Sequence, residues 1–428
     1  MLPFDSARRD LTRLFQAAVA AVEPAELVER HLRGVGTPFD GDLAVVGAGK
    51  GAGRMAAGVE ASRGPDRVAG VVVVPRGSAT ALAAIRLAFA SHPLPDELSL
   101  RAGAELCRVA QQLSPRAPVL CLIGGGASSL LVQPRPPLSL QDKLATNRLL
   151  LECGAEIAEI NTVRKHLSTV KGGGLARRAG PRPILTLALS DVIGDDPSVI
   201  GSGPCMPDPS TYADALAVLA RYGLTERVPS RVRHLLDGGV RGEIEETLKP
   251  LDPAAGELAT HVIGSNRLAV DAAARAAQKL GYESVVDVEP LMGDTAASAL
   301  AWAKRLTQSS PVGRWCRIAG GETTVAVRGR GLGGRNQEFA LAMVRALAGK
   351  PIAVLSAGTD GTDGPTDAAG AFVDGQTAAR AAALGLSPEA ALAQNDSYPF
   401  FARLGDLLRC GPTGTNVMDV KIALGVGS

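Results

Sequence analysis

Two patterns of apolar residues alternate along the 428-residue chain. Apolar residues at three- and four-residue spacing are typical of amphipathic helices, and short continuous apolar runs are typical of strands buried in a parallel sheet. The first pattern predicts helices over residues 5–33 with an interruption at Pro24, 100–113, 139–160, 213–222, 229–236 and 266–280. The second predicts strands that begin near Leu43, Gly70, Ile85, Val119, Pro183, His261 and Pro351. The sequence also predicts a hairpin-like strand pair around Gly320 and Glu322 and a last strand that carries Asp419. We therefore expect an α/β protein with a mainly parallel sheet.

The length of the chain and one polar stretch indicate two domains. The chain is longer than one typical domain, and Asp237–Glu257 is polar and rich in glycine, proline and acids. A boundary there predicts an N-terminal domain over residues 1–240 and a C-terminal domain over residues 257–428. As an alternative, the last strand packs back toward the N-terminal domain rather than within the C-terminal one.

Composition and charge narrow the classes of partner. The formal net charge is +2, which gives no support for nucleic acid or an anionic membrane surface as a partner. No apolar run reaches the ~18 residues that a membrane span needs. The amphipathic N-terminus carries acids, which a secretory signal does not. We expect a cytoplasmic protein.

Glycine-rich loops after the predicted strands are the main chemical signal. Glycine accounts for 50 of the 428 residues, about 12% of the chain. The average share of glycine in proteins is about 7%. The first loop, within Leu43–Met55, places Lys50 between Gly49 and Gly51. Glycines allow a backbone to turn tightly and to present N–H groups to an anion, and a helix that starts there adds its positive end. This loop predicts an anion site.

Later loops repeat the pattern with different side chains. The run after the strand at Val119 carries three glycines and two serines, namely Gly124, Gly125, Gly126, Ser128 and Ser129. Other loops and helix starts carry isolated cations, carboxylates and amides: Arg164, Lys171, Asp191, Asn266, Glu322, Arg335, Asn336 and Asp360. Cations and backbone donors around phosphate oxygens, with carboxylates for Mg²⁺ or for a proton, suit phosphoryl transfer.

Other interpretations of these loops have less support in the sequence. The spacing Gly47-x-Gly49-x-x-Ala52 satisfies a dinucleotide fingerprint, but the next strand ends in Pro75 and Arg76 rather than in an acid for the ribose. Arg76 would suit a 2′-phosphate, so an NADPH-dependent reductase stays open. A Walker loop, a calcium loop and a G-x-S-x-G nucleophile are absent from the sequence.

Six motifs in order resemble one known family. The runs GAGKGAG, GGGASSLL, NTVRKHLSTVKGGGLA, LSDVIGDDPSVIGSGP, GGETTV with GGRNQEFAL, and SAGTDGTDGPTDAAGA are similar to those of the class II glycerate kinases, the MOFRL-type glycerate 2-kinases. The resemblance covers nearly the whole chain. It implies a larger Rossmann-like domain, a smaller α/β domain with a mixed sheet, and an active site in the cleft between them. It also implies a kinase that uses ATP and Mg²⁺ to phosphorylate D-glycerate at the 2-hydroxyl.

The resemblance also implies roles for residues. The functional lysine of the family falls on Lys50 and its functional arginine on Arg335. We expect Asp191, with Asp360 as its rival, to bind Mg²⁺ or to orient the 2-hydroxyl. Arg164 and Lys171 are candidates for the glycerate carboxylate, and the remaining candidates bind phosphate or that carboxylate. An NAD(P)H-dependent hydroxypyruvate reductase and a non-catalytic binding module remain as alternatives. The oligomeric state is open, with a homodimer as one option.

Overall fold

The structure, a computed structural model, describes residues 4–112, 114, 116–250, 252, 256–308 and 312–427. Its helices are α1 (Phe4–Ala21), α2 (Pro24–Leu32), α3 (Ala52–Arg63), α4 (Glu97–Gln112), α5 (Ala127–Leu130), α6 (Leu140–Glu152), α7 (Ile157–His166), α8 (Gly174–Ala179), α9 (Tyr212–Arg221), α10 (Ser230–Val240), α11 (Asn266–Lys279), α12 (Thr295–Gln308), α13 (Arg335–Met343), α14 (Thr377–Ala383), α15 (Pro388–Gln394) and α16 (Ser397–Leu404). Its strands are β1 (Leu43–Ala48), β2 (Val68–Pro75), β3 (Ile85–Ala90), β4 (Val119–Ile123), β5 (Ile184–Leu189), β6 (Leu258–Gly264), β7 (Glu283–Val286), β8 (Gly313–Gly321), β9 (Ile352–Gly358), β10 (Gly370–Asp374), β11 (Leu407–Leu408) and β12 (Asp419–Gly427).

The chain forms two compact units. The larger, the parallel-sheet unit, spans Pro24–Ile263, and the smaller, the mixed-sheet unit, contains the residues up to Glu23 and those from Gly264 onward. Each unit has its own six-stranded sheet and helices. The predicted fold class, an α/β protein with a larger parallel-sheet part and a smaller mixed-sheet part, is confirmed.

The parallel-sheet unit has the strand order β3-β2-β1-β4-β5-β6. β1 pairs in parallel with β2 on one side and with β4 on the other. All residues of β1, β4 and β5 are buried, as expected for strands covered on both faces. The order reverses between β1 and β4, and ligands bind at such a switch point in open α/β sheets.

The mixed-sheet unit has the order β11-β10-β9-β12-β8-β7. Its last strand, β12, lies between β8 and β9 and is antiparallel to both. Only β7 and β8 form a parallel pair among the registers described. This is the mixed sheet that the resemblance implies for the smaller domain, whereas the apolar pattern alone favoured parallel strands here as well. The alternative that the last strand packs back toward the N-terminal domain stays a prediction.

The two units differ from the predicted domains at the N-terminus. Helix α1 belongs to the mixed-sheet unit, where the Tyr282 hydroxyl donates to Asp10 at 2.7 Å and Arg8 donates to the carbonyl of Gly405 at 2.6 Å. The apolar stripe of α1, which includes Leu11 and Leu14, is fully buried. Within the predicted boundary, residues 251 and 253–255 lie outside the described residues.

Two local predictions are wrong. The helix expected over residues 139–160 is two helices, α6 and α7, separated at Gly154, whose φ of 73° ends the first. The strand pair expected around Gly320 and Glu322 is the single strand β8, and the following residues continue as a loop. Among the described residues, no helix combines the length and the apolar character needed to cross a bilayer.

Candidate active site

Two glycine loops meet at the switch point of the parallel sheet. The amide of Lys50, after β1, donates to the carbonyl of Gly125, after β4, at 2.8 Å. A Cβ on Gly49, whose φ is 141°, would come within 2.6 Å of the backbone of Gly124. The two loops therefore pack backbone against backbone, which only glycine permits. Gly51 precedes the first residue of α3 and supplies no side-chain cap to that helix.

Asp191, just past β5, joins the same cluster. Its Oδ2 accepts a hydrogen bond from the amide of Gly126 at 3.1 Å. Burial raises the pKa of Asp191, against the lowering effect of the Gly126 hydrogen bond and of the Lys50 charge. A Cβ on Gly126 would lie 3.7 Å from Cγ of Lys50 and 2.8 Å from Nε2 of His92. A cation, a carboxylate and an imidazole thus surround one loop.

The serines after this loop have different partners. Ser129 Oγ donates to the carbonyl of Gly126 at 3.0 Å, within its own turn. Ser128 Oγ lies 2.9 Å from Ser202 Oγ and accepts a hydrogen bond from Lys171 Nζ at 3.0 Å. Ser202 is fully buried and has a φ of 63°, a strained conformation for a residue with a side chain and one that concentrates at functional sites.

Basic side chains gather beside Ser128. Lys171 is 3% exposed and also donates to the carbonyl of Ser128 at 2.8 Å. Arg164, in the last turn of α7, donates from Nε to Asn147 at 3.1 Å. Lys143, in the first turn of α6, is 4% exposed. Burial, and secondarily the Arg164 charge, lower the pKa of Lys143 to about 7.

In the mixed-sheet unit, Arg335 is held by carboxylates. Its Nε and Nη2 donate to the two oxygens of Asp419 at 2.8 and 2.9 Å, and its Nη1 lies 2.9 Å from Glu322. Lys421 Nζ pairs with the same Asp419 at 3.0 Å, and both of these side chains are fully buried. Despite its burial, Asp419 has a pKa lowered to about 2 by Lys421 and Arg335.

Asn336 follows Arg335 in the first turn of α13. Its amide N–H and that of Gln337 donate to the two oxygens of Asp363 at 3.0 and 2.9 Å, so a carboxylate from a distant loop caps this helix. Asn336 Oδ1 accepts from Ser356 Oγ at 2.8 Å. Asn336 is therefore fully engaged in fixing the start of the helix that carries Arg335.

The other two candidates of this unit also have protein partners. Asn266 Nδ2 donates to the carbonyls of Val417 and Asp419 at 2.8 and 2.9 Å, so it fixes the start of β12. Asp360 Oδ1 accepts from the amide of Thr362 at 3.1 Å. A Cβ on Gly358 would lie 3.1 Å from Asp360 Oδ1 and 3.5 Å from Asp419 Oδ1. Asp360 therefore belongs to the group of charges around Arg335.

The structure brings together in the parallel-sheet unit the candidates Lys50, Gly49, Gly51, Gly124, Gly125, Gly126, Ser128, Ser129, Asp191, Arg164 and Lys171. In the mixed-sheet unit it brings together Arg335, Asn336, Glu322, Asn266 and Asp360. Six further polar residues described at these sites are absent from the predicted site: His92, Lys143, Ser202, Asp363, Asp419 and Lys421. Lys421 had a detectable signal, because it stands two positions after Asp419 in an apolar strand and so shares its face.

These features define an α/β protein with a group of charged residues and glycine loops at the switch point of its parallel sheet, the place where open α/β sheets bind ligands. Two family models match the chain, a domain of unknown function (DUF4147) over residues 10–237 and the MOFRL family over residues 315–419. A relative from Pyrococcus horikoshii named glycerate 2-kinase is 38% identical and covers 96% of both chains. A relative from Agrobacterium vitis with a provisional hydroxypyruvate reductase name is 41% identical over 98% of this chain and 94% of its own.

A solved structure extends the likeness to three dimensions. The crystal structure of glycerate kinase from Thermotoga maritima aligns with a TM-score of 0.86 and 37% identity, over 99% of this chain and all of the other. The chain therefore belongs to the same family as these glycerate kinases, with the MOFRL match in its C-terminal part.

Proposed function

We propose that this chain is an ATP-dependent glycerate kinase that transfers the γ-phosphoryl group to the 2-hydroxyl of D-glycerate and releases 2-phosphoglycerate and ADP. The observation that carries the proposal is the whole-length likeness to proteins named glycerate kinases, in sequence and in structure. The charged glycine loops at the switch point supply the chemistry that such a transfer requires.

Lys50 and Arg335 are proposed to stabilise the negative charge that spreads over the transferred group. Both belong to elements whose geometry is fixed before substrate binds. The Lys50 backbone is tied to the second glycine loop, and the guanidinium of Arg335 is oriented by Asp419 and Glu322. Charges held in place in advance stabilise a transition state more than mobile charges do.

Asp191 is proposed as the base. Its raised pKa makes it a better proton acceptor than an exposed carboxylate. The 2-hydroxyl transfers its proton to Asp191 as its oxygen forms a bond to the γ-phosphorus, and the bond from that phosphorus to the β–γ bridging oxygen breaks to release ADP. Ser128, Ser129 and the Gly124–Gly126 loop would then hold phosphate or carboxylate oxygens beside the reacting atoms.

Mg²⁺ fits the donors that these loops offer. Mg²⁺ in kinases takes one or two carboxylates and completes its octahedron with water and phosphate oxygens. Among the described residues no group of three or more His, Cys, Asp or Glu side chains could hold a metal. One carboxylate matches the smaller requirement: Asp360 where Asp191 is the base, or Asp191 where the two roles are exchanged. When bound, Mg²⁺ would neutralise phosphate charge and orient the leaving group.

A coupled ADP-release assay with D-glycerate tests the proposal, and the ³¹P spectrum of the product identifies the position. A phosphate on carbon 2 couples to one proton and gives a doublet, whereas a phosphate on carbon 3 couples to two and gives a triplet. The triplet, or NADPH oxidation with hydroxypyruvate in place of ADP release, would contradict the proposal. Glycerate binding without any ADP would identify a binding module instead.

A further inference from the structure

Three cations in the parallel-sheet unit have no acidic partner within the part of the chain that the structure describes. Lys143, Arg164 and Lys171 come from α6, α7 and the loop before α8, and none of them takes part in an ion pair there. Lys171 and Arg164 donate to uncharged oxygens of Ser128 and Asn147. The Nζ of Lys143 is buried and makes no hydrogen bond in that part of the chain.

Two other cations of this unit, by contrast, have acidic partners. Lys165, next to Arg164 in sequence, is 8% exposed and lies 3.3 Å from Asp208. Arg177 lies 3.0 Å from Asp252. Buried charges in proteins are almost always paired, because an uncompensated one is strongly destabilising. A cluster of unpaired cations is therefore expected to serve a ligand.

The position of Lys143 strengthens this reasoning. Lys143 is the fourth residue of α6, whose N-terminus is capped by Ser139 and Asp142. The positive end of a helix dipole repels a cation and attracts an anion. Three influences therefore oppose the charge on Lys143: its burial, the Arg164 guanidinium and the helix dipole. Burial likewise holds the pKa of Lys171 well below its ordinary value, with further lowering by Lys143 and Arg164.

Ser128 connects this cluster to the proposed reaction centre. Lys171 Nζ contacts Ser128 through both its carbonyl and its hydroxyl. Ser128 stands two residues after Gly126, whose amide contacts Asp191. An anion bound by the three cations would therefore lie beside the loop that carries the proposed base.

We infer that Lys143, Arg164 and Lys171 form an anion subsite that binds the carboxylate of the substrate acid. The inference rests on the proposed function, in which Lys50 serves the phosphoryl group and the carboxylate is the remaining charged group of glycerate. The bound carboxylate supplies the missing negative charge and raises the pKa of the two lysines. Binding above neutral pH therefore takes up a proton from solvent.

Isothermal titration calorimetry on the full chain, with D-glycerate alone and with ATP alone, tests the subsite without turnover. In Lys143→Met the Kd for D-glycerate rises about 10- to 100-fold, as expected for the loss of a charged hydrogen bond, while the Kd for ATP stays within about twofold. Titrations at pH 8 in two buffers of different ionisation enthalpy show proton uptake in the wild type and less of it in the variant.

Thermal unfolding of the unliganded proteins separates binding from structure. The Tm of Lys143→Met rises, because the variant removes an unpaired buried charge. Lys165→Met is the matched control: its Tm falls, because Asp208 loses its partner, and its Kd for D-glycerate stays within about threefold. A merely structural Lys143 would lower the Tm when replaced and leave the Kd unchanged.

Three results would overturn the subsite: an unchanged Kd for D-glycerate in Lys143→Met, a rise in the Kd for ATP instead, or a wild type that does not bind D-glycerate. A different result would contradict the proposed function: a wild type that binds D-glycerate but releases no ADP is not a glycerate kinase. In that case the calorimetric test of the subsite stays valid.

Discussion

Lys50 is held beside a buried carboxylate. Its backbone is fixed by the carbonyl of Gly125, and its side chain lies near enough to Asp191 for its charge to lower the pKa of that carboxyl. A mobile surface lysine has neither constraint. A positioned cation beside a buried carboxylate is what the proposed phosphoryl transfer requires.

Replacement of Lys50 by Met is expected to lower kcat for ADP release by about 10²–10³, the loss typical of one electrostatic donor to a transition state. Steady-state kinetics with ATP and D-glycerate measures this, and far-UV circular dichroism checks that the fold is kept. The exposed Lys304 on α12 provides the control, since Lys304→Met should not change kcat. Near wild-type turnover in Lys50→Met would remove Lys50 from the mechanism.

Asp419 is the counter-charge of two cations, Arg335 and Lys421. Asp419→Asn leaves Lys421 buried without a counter-charge, which should lower the free energy of unfolding by about 3–5 kcal/mol. Trp302 and Trp315 are the only tryptophans of the chain and both lie in the mixed-sheet unit, so denaturant unfolding followed by their fluorescence reports on this unit. Adding Lys421→Met should recover much of the loss. If the single variant is as stable as the wild type, the ion pair does not stabilise the fold.

The acid dependence of the same unit follows from the pKa of Asp419. It is lowered in the folded state to about 2 from an ordinary value of 3.8. The stabilisation by this carboxylate is therefore complete above about pH 4 and is lost as the pH falls toward 2. The same tryptophan signal in Asp419→Asn should lack this part of the acid transition.

The sequence could predict those candidate site residues that stand next to a recognisable strand or glycine loop. Lys50, Asp191 and the Gly124–Gly126 loop stand directly after apolar strands, and such positions converge at one edge of a parallel sheet. Lys143 gave no such signal, because its burial and its lack of a partner depend on helices that are distant in sequence. The pairing of Asp419 with Arg335 joins residues 84 positions apart, which no local pattern reports.

At the scale of elements, the close contact between the two glycine loops is the feature that fixes the site. Gly49→Ala places a Cβ within 2.6 Å of the Gly124 backbone, a distance that forces the loops apart. Gly64, at the other end of α3, has a φ of 84° and open space around it. The two variants, Gly49→Ala and Gly64→Ala, distinguish the strain of a positive φ, which both have, from the displacement of a loop, which only Gly49→Ala causes.

We expect Gly49→Ala to lower kcat at least tenfold and to reduce the Tm. Gly64→Ala should reduce the Tm through backbone strain of about 1–3 kcal/mol and leave kcat unchanged. Thermal unfolding and ADP-release kinetics on both variants provide the comparison. Equal kinetic effects in the two variants would mean that the contact between the loops does not position Lys50.

Elements themselves were predicted more successfully than their pairing. Strands such as β1 and β2 are continuous apolar runs, and the helix of residues 5–33 broke at Pro24 as expected. Apolar runs do not reveal strand direction, because a central antiparallel strand such as β12 is buried on both faces just as a parallel one is. The mixed order of the second sheet could therefore not be derived from its pattern.

At the scale of the whole molecule, different spectroscopic probes report on the unfolding of the two units. Both tryptophans report on the mixed-sheet unit, whereas circular dichroism reports on both units. Changes in the parallel-sheet unit, where the three unpaired cations lie, should therefore be visible by circular dichroism. In this unit the pH should act above neutrality, through Lys143.

The unliganded protein should become more stable as the pH rises above neutrality. Lys143 has a folded-state pKa of about 7 against an ordinary value of 10.5. Between these values the unfolded chain holds a proton that the folded chain has lost, so the free energy of unfolding rises by up to about 1.4 kcal/mol per pH unit. Below about pH 7 both states are protonated and the destabilisation is at its largest.

Comparison of Lys143→Met with the wild type cancels the titration of groups that Lys143 does not affect and leaves the contribution of Lys143, together with its effect on the pKa of Lys171. The stability gained by the variant should be greatest near pH 6 and 7 and should shrink steadily toward pH 10. Denaturant unfolding at a series of pH values, followed by circular dichroism, measures it. Saturating D-glycerate should reduce the gain at low pH, because the bound carboxylate stabilises the charged lysine of the wild type. A gain that stays constant with pH would show that Lys143 does not titrate between folded and unfolded states.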